Sequence, residues 1–253
     1  MALDIFIYLF FAGVLCGVIN AVAGGATLIG FPVLISVGLP PNVANASNFL
    51  ATMPGYAAAI PSYAKELRRM GKSTVKIVVI SMLGGVLGSF ILIASPSQIF
   101  VKLTPYLLLV ATLLYASGDI LNRYISKHTN DADLKNSRLG MASIFTFSIY
   151  GGYFGAGLGI IVLSILKIIG YSDFHESNAI KNIMITAVSI LSIIIFMGGG
   201  LISWPESLVM MTGSTIGGFS AARYARNFPQ RLLKNIIIFL GLSFSAYYFA
   251  ATS

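Results

Sequence analysis

Asn48 and Thr52 stand four residues apart, and so do Asn182 and Thr186. On a helix that spacing puts both side chains on one face, where an amide and a hydroxyl can donate hydrogen bonds to one guest. Upstream of each pair lies a glycine cluster: Gly24 and Gly25 with Thr27 two residues on, and Gly155, Gly157 and Gly159. Glycine lets a ligand approach the main chain closely. Asn20 and Asn178 lie near the clusters and read as support behind them, and Lys181 adjoins Asn182. Donors without carboxylates suit a small anion. The metal and enzyme alternatives fail on residue type, because there is no HExxH, no GxSxG and no group of His, Cys and carboxylates within the apolar segments. No cofactor is expected.

The elements that position these residues are set by composition. The chain has 253 residues, 57% hydrophobic and 9% charged, with a mean hydropathy of +0.87, against about 25% charged residues in a soluble domain. Uncharged runs cover 5–64, 77–101, 139–166, 182–205 and 235–253, and a spanning helix needs roughly 20 apolar residues. The chain therefore reads as an all-α polytopic membrane protein whose main partner is the lipid bilayer. Ala21-Val22-Ala23 imitates a secretory cleavage site, but the segment before it carries Asp4 and no Lys or Arg, the wrong charge for a signal peptide. Residues 3–22 are expected to stay in the membrane. The single Cys16 excludes an internal disulfide.

The net charge of +8 does not point to nucleic acid, since thirteen of the sixteen Lys and Arg fall in three clusters between apolar runs. These are Lys65 to Lys76, Arg123 to Arg138, and Arg223 to Lys234. The positive-inside rule places all three on the cytoplasmic side and puts both termini outside.

The two halves repeat. Each has a glycine cluster, about a dozen apolar residues ended by a glycine (Gly38, Gly170), a polar connector, and a helix opening with Asn48 or Asn182. Gly84 and Gly88 match Gly213 and Gly217, and "SPSQ" at 95–98 matches "FPQ" at 228–230. The division is 1–121 as membrane repeat 1, 122–138 as a cytoplasmic loop, and 139–253 as membrane repeat 2. With the charge clusters all inside, repeat 1 begins outside and repeat 2 inside, so the expectation is an inverted-topology repeat, an arrangement of many secondary transporters.

Segments 26–38 and 157–169 are too short to span: thirteen residues of helix reach about 20 Å against a hydrocarbon core of about 30 Å. Each is read as a re-entrant half-helix whose N-terminus carries free N–H groups and partial positive charge, an anion site in itself. Glycines spaced by four, as in Gly13/Gly17, Gly84/Gly88 and Gly213/Gly217, are read instead as close helix packing. Lys181 has two readings, pairing with the anion or snorkelling to headgroups; Lys167 has the second. Protons are the candidate coupling ion, with Asp119, Asp173, His175 and Glu176 as the groups available, and a homo-oligomer stays open.

Residues 13–51, "GVLCGVINAVAGGATLIGFPVLISVGLPPNVANASNFLA", and residues 151–170, "GGYFGAGLGIIVLSILKIIG", resemble the two signatures of the sulfite exporter TauE/SafE family, and the resemblance covers essentially the whole chain. The chain departs from the family pattern at Gly24-Gly25-Ala26 and Gly157-Leu158-Gly159, where three consecutive glycines are common. The resemblance implies a prokaryotic inner-membrane permease, often an exporter, for sulfite or a small organosulfonate. An anion channel, or a permease for another small anion such as a carboxylate, is the alternative.

Overall fold

The computed structural model describes residues 3–22, 25–69, 71–128, 137–171, 173–224 and 230–252. Gly24, the middle of the predicted loop (129–136), and residues 228 and 229 of the last repeat anchor lie outside the described residues. Eleven α-helices and no strand are found among the described residues, as the composition predicts.

In the first half of the chain, α1 (Leu3–Val22) is followed by α2 (Thr27–Ser36), α3 (Pro41–Ala57), a 3-10 turn (Ile60–Tyr63), α4 (Ala64–Arg69), α5 (Lys72–Ala94) and α6 (Ser97–His128). The second half contains α7 (Arg138–Tyr153), α8 (Leu158–Ile168), α9 (Phe174–Gly198), α10 (Trp204–Tyr224) and α11 (Gln230–Thr252). Four of them, α1, α5, α6 and α9, are long and apolar enough to cross a bilayer. Large apolar side chains such as Phe11, Leu83, Phe90, Ile194, Phe219 and Phe239 are exposed, which is the expected arrangement where the surrounding solvent is lipid.

Two boundaries differ from the sequence reading. Helix α6 continues to His128, into the segment expected to be loop from 122. Asn48 and Asn182 do not open their helices but sit about two turns inside α3 and α9. Pro41 starts α3 at a position where its missing N–H costs nothing, and Asp173 caps α9 by accepting the Glu176 N–H at 2.7 Å. In both cases the start signal stands earlier in the chain than the polar pair.

The half-helices are 10 and 11 residues long, or about 15 to 17 Å at 1.5 Å per residue, shorter than the thirteen-residue segments read from the sequence. They end identically. At the end of α2, Leu39 N–H donates to the Leu34 carbonyl (3.3 Å) and Gly38 N–H to that of Ile35 (2.8 Å); at the end of α8, Tyr171 donates to Leu166 (2.9 Å) and Gly170 to Lys167 (3.2 Å). This is the Schellman pattern. It needs a left-handed residue after the helix, supplied by Gly38 at φ +96° and Gly170 at φ +105°.

Each half-helix folds back on its predecessor. Tyr8 near the start of α1 has its hydroxyl 3.3 Å from Ser36 Oγ at the end of α2, and Tyr150 of α7 donates to the Ala156 carbonyl just before α8 at 2.6 Å. The first contact joins the far ends of α1 and α2 and makes that pair a hairpin; the second spans the turn between α7 and α8, which pack against each other.

The packing is exchanged between the halves. Helix α1 lies along α10, and α7 lies along α5. Backbones touch there: a Cβ at Gly13 or Gly17 would meet the carbonyls of Met210 or Ser214, one at Gly213 or Gly217 those of Phe10 or Val14, and one at Gly84 or Gly88 those of Phe145 or Ile149. The glycines spaced by four thus serve close packing. Counterparts α3 and α9 run antiparallel. Ser203 N–H, just past α9, donates to Ser47 Oγ near the start of α3 (2.9 Å), while Tyr63, just past α3, has its ring 6.3 Å from His175 at the start of α9. Counterparts α6 and α11 are antiparallel too, with Ser245 donating to the Pro105 carbonyl (2.9 Å) and Thr112 against Gly241.

Candidate functional site

The turns that start the half-helices depend on glycine. Gly25 adopts φ +92°, Gly155 +73° and Gly157 +71°, a region where a side chain is strained. They are also tightly packed. A Cβ on Gly25 would come within 2.6 Å of the Tyr115 ring, and one on Gly157 within 3.2 Å of the Ala111 carbonyl. Both neighbours belong to α6, which passes behind both turns.

Asn20 fixes the first turn. Its Oδ1 accepts the Ala26 N–H at 3.2 Å, and its Nδ2 donates to the Thr52 carbonyl at 3.3 Å. One amide thereby ties α1, the start of α2 and the middle of α3 together, in the supporting place read from the sequence. Cys16, fully buried, directs its thiol toward the Ala26 carbonyl.

These turns open onto one cavity of about 20 Å³, lined by Thr27 from the start of α2, by Gly155 and Leu158 from the start of α8, by Gly151 of α7, by Asn48, Phe49, Thr52 and Tyr56 of α3, and by Ile185, Val188 and Ser189 of α9. The two half-helix starts, remote in sequence, meet at this point. No charged side chain is among the lining residues. Thr52 donates its hydroxyl to the Asn48 carbonyl (2.8 Å). Asn48 is 1% exposed, and its Oδ1 has no hydrogen-bond partner among the described residues. Phe49 of the lining contacts Phe196 edge to face at 5.4 Å, and Phe31 contacts Phe154, the neighbour of Gly155, at 5.3 Å.

Of the residues singled out in the sequence, Thr27, Asn48, Thr52 and Gly155 line the cavity, and Gly25 and Gly157 shape the turns beside it. Asn178, Lys181, Asn182 and Thr186 are buried on α9 but are not lining residues. Gly159 lies in the first turn of α8, where a Cβ would come 3.7 Å from Lys181 Cδ. Lys181 is 6% exposed and donates to Asn178 Oδ1 at 2.9 Å. Snorkelling is excluded for a side chain so enclosed. Lys167 is partly exposed in the last turn of α8, where a cation complements the helix dipole. The Thr186 hydroxyl, unlike that of Thr52, has no partner among the described residues.

Sequence reasoning missed Tyr56 and Ser189. Tyr56 continues the Asn48–Thr52 stripe by one more turn, a signal that was available. Ser189 was hidden because α9 presents Ile185, Val188 and Ser189 rather than the counterparts of the α3 stripe. Of the coupling candidates, Asp173 is the cap of α9 and His175 is exposed; the Asp119 side chain lies outside the described residues. Tyr63, outside the spanning segments, has its hydroxyl pKa raised by burial and by the charge of Glu66.

Comparison with known proteins adds an independent line. The family described as Sulfite exporter TauE/SafE matches residues 9–248. The chain is similar to a "Probable membrane transporter protein" of Haemophilus influenzae, 25% identical over 97% of this chain and 95% of the relative. It is also similar to "Probable membrane transporter protein ORF9" of Sinorhizobium, 24% identical over 96% and 92%, and to "Probable membrane transporter protein YfcA" of Escherichia coli K12, 21% identical over 94% and 87%. No solved structure matches the chain.

Proposed function

The chain belongs to the sulfite exporter TauE/SafE family, and from that premise we propose that this membrane transporter exports a small sulfur-containing oxyanion, sulfite or a small organosulfonate, by alternating access. The observation that carries the reading is the meeting of Thr27 with Gly155 and Leu158 on one cavity. Two half-helix N-termini aimed at one point offer main-chain N–H groups and positive potential, and Thr27, Asn48 and Ser189 add side-chain donors. Tetrahedral oxyanions match such converging donors.

Repeats 1–121 and 139–253 are read as inverted across the membrane, which the antiparallel α3/α9 and α6/α11 pairs support. Both termini are assigned outside from the charge clusters, and the inner membrane of a prokaryote is what the family resemblance implies. Such repeats rock against each other around a fixed midplane site. A cavity of 20 Å³ is close to the space of one water-sized probe, smaller than an oxyanion. The guest therefore enters only when the aromatic pairs on one side or the packing around Tyr56 on the other gives way. Lys181 supplies the compensating positive charge from beside the first turn of α8, and the proton is the coupling ion of this reading.

Counterflow in proteoliposomes tests it. Vesicles preloaded with unlabelled sulfite are expected to accumulate labelled sulfite transiently. Linear, non-saturating flux without exchange would make the protein a channel.

A further inference from the structure

The cavity is built unequally from two similar halves, and one glycine accounts for the difference. Gly30 of α2 faces Asn48 of α3. A Cβ on Gly30 would overlap Asn48 Oδ1 and come within 2.9 Å of Met210 Cε. The Oδ1 atom is thus seated in the space a side chain would take, buried and without a hydrogen-bond partner among the described residues. Its amide is planar, with oxygen and nitrogen at opposite ends. Oxygen against Gly30 leaves nitrogen for the cavity that Asn48 lines.

In the second half the place of Gly30 is taken by Val162, by the spacing that equates Gly38 with Gly170. Val162 is 2% exposed and carries a side chain where Gly30 has none, and Asn182, the counterpart of Asn48, is absent from the cavity wall.

We propose that Gly30 is the positioning residue that polarises the cavity: its missing side chain stows the acceptor end of Asn48 and turns the N–H₂ end toward the guest, so that the site selects small anions that accept hydrogen bonds. The proposal rests on the anion-binding reading above. The cost of an unpartnered buried oxygen is on the order of 1–3 kcal/mol; among the described residues Asn48, which borders the cavity, carries one, and Asn45, which does not border it, carries another.

The test is a double-mutant cycle on the purified full chain, with binding of sulfite, sulfate and acetate measured at equilibrium and the melting temperature measured alongside. Gly30→Ala and Asn48→Ala are each expected to weaken binding about tenfold or more, the loss that follows when about 1.5 to 3 kcal/mol of charge-assisted hydrogen bond is removed. The double variant is expected to bind no worse than the weaker single variant, because Gly30 acts only through Asn48. Gly71→Ala, at a glycine with open space around it, serves as the control that changes nothing. Additive losses, or wild-type binding by Gly30→Ala, would overturn the assignment. Should Gly30→Ala fail to fold, Asn48→Asp decides: an oxygen placed where the N–H₂ group is assigned is expected to abolish binding, and retained binding would overturn the proposal. If the wild-type chain binds none of the three anions, the anion reading itself fails, an outcome distinct from additivity.

Discussion

Thr27 and Gly155 face one cavity from the starts of two different half-helices. Each stands at the point where a re-entrant hairpin turns, and each hairpin arises from the opposite half of the chain. On the proposed reading, the relationship explains how a chain with so little charge holds an anion at depth. Main-chain N–H groups at helix starts and neutral hydroxyls need no buried counterion of their own, and burying an isolated charge is costly.

The free hydroxyls give the first prediction. Thr27→Val and Ser189→Ala each remove one donor from the cavity wall while nearly keeping its shape. Each is expected to weaken anion binding about tenfold, with melting temperature within a degree or two of wild type, since about 1.5 kcal/mol is typical for a hydrogen bond to a charged group at the low end. Binding isotherms and thermal melts on the two variants check it; unchanged affinity in both would remove the hydroxyls from the site.

Lys181 gives a second. A buried cation held by a single neutral amide is expensive, so its replacement by an apolar residue of similar length is expected to be neutral or stabilising to the fold. Lys181→Met is therefore expected to raise or preserve the melting temperature while lowering transport at least tenfold. Lys167→Met is expected to leave transport near wild type. Equal transport by the two variants would remove Lys181 from the anion's surroundings.

A third concerns orientation. Gly71 lies just before α5, and Gln98 is exposed at the start of α6, so the two mark opposite ends of the α5–α6 pair. In a chain with Cys16 replaced by Ala, cysteine at 71 is expected to react only with reagent on the cytoplasmic side, and cysteine at 98 only with reagent outside. The reverse pattern would invert the topology assigned from the charge clusters.

Much of this architecture is legible in the residues themselves. The half-helix ends were marked by Gly38 and Gly170, because a Schellman turn leaves few other residues a choice, and the helix-packing glycines were marked by their spacing. The matched order of elements from which a duplication was expected accords with the packing of α1 on α10 and of α7 on α5. The cavity's polar side chains were legible on the first half only; from the second half the sequence marked Gly155 and the turn at Gly157. Asn48 and Thr52 stand on the cavity wall, but Asn182 and Thr186 do not, since α9 is turned so that Ile185 and Ser189 replace them. Sequence similarity between halves encodes which residues correspond, not how far each helix rotates about its axis. That rotation depends on packing volume at positions such as Gly30 and Val162, which no short motif records. The helix starts were misplaced for a simpler reason: Pro41 and Asp173 are ordinary start signals, and the polar pairs drew attention away from them.

Equilibrium binding of labelled sulfite to the purified protein, in competition with sulfate, methanesulfonate and acetate, tests the central claim most directly. The account predicts saturable binding at one site per chain, weakened about tenfold or more in each of the Thr27→Val, Asn48→Ala and Gly155→Ala variants that still melt cooperatively. Binding of no small anion by the wild-type protein, or binding that all three variants retain, would contradict it.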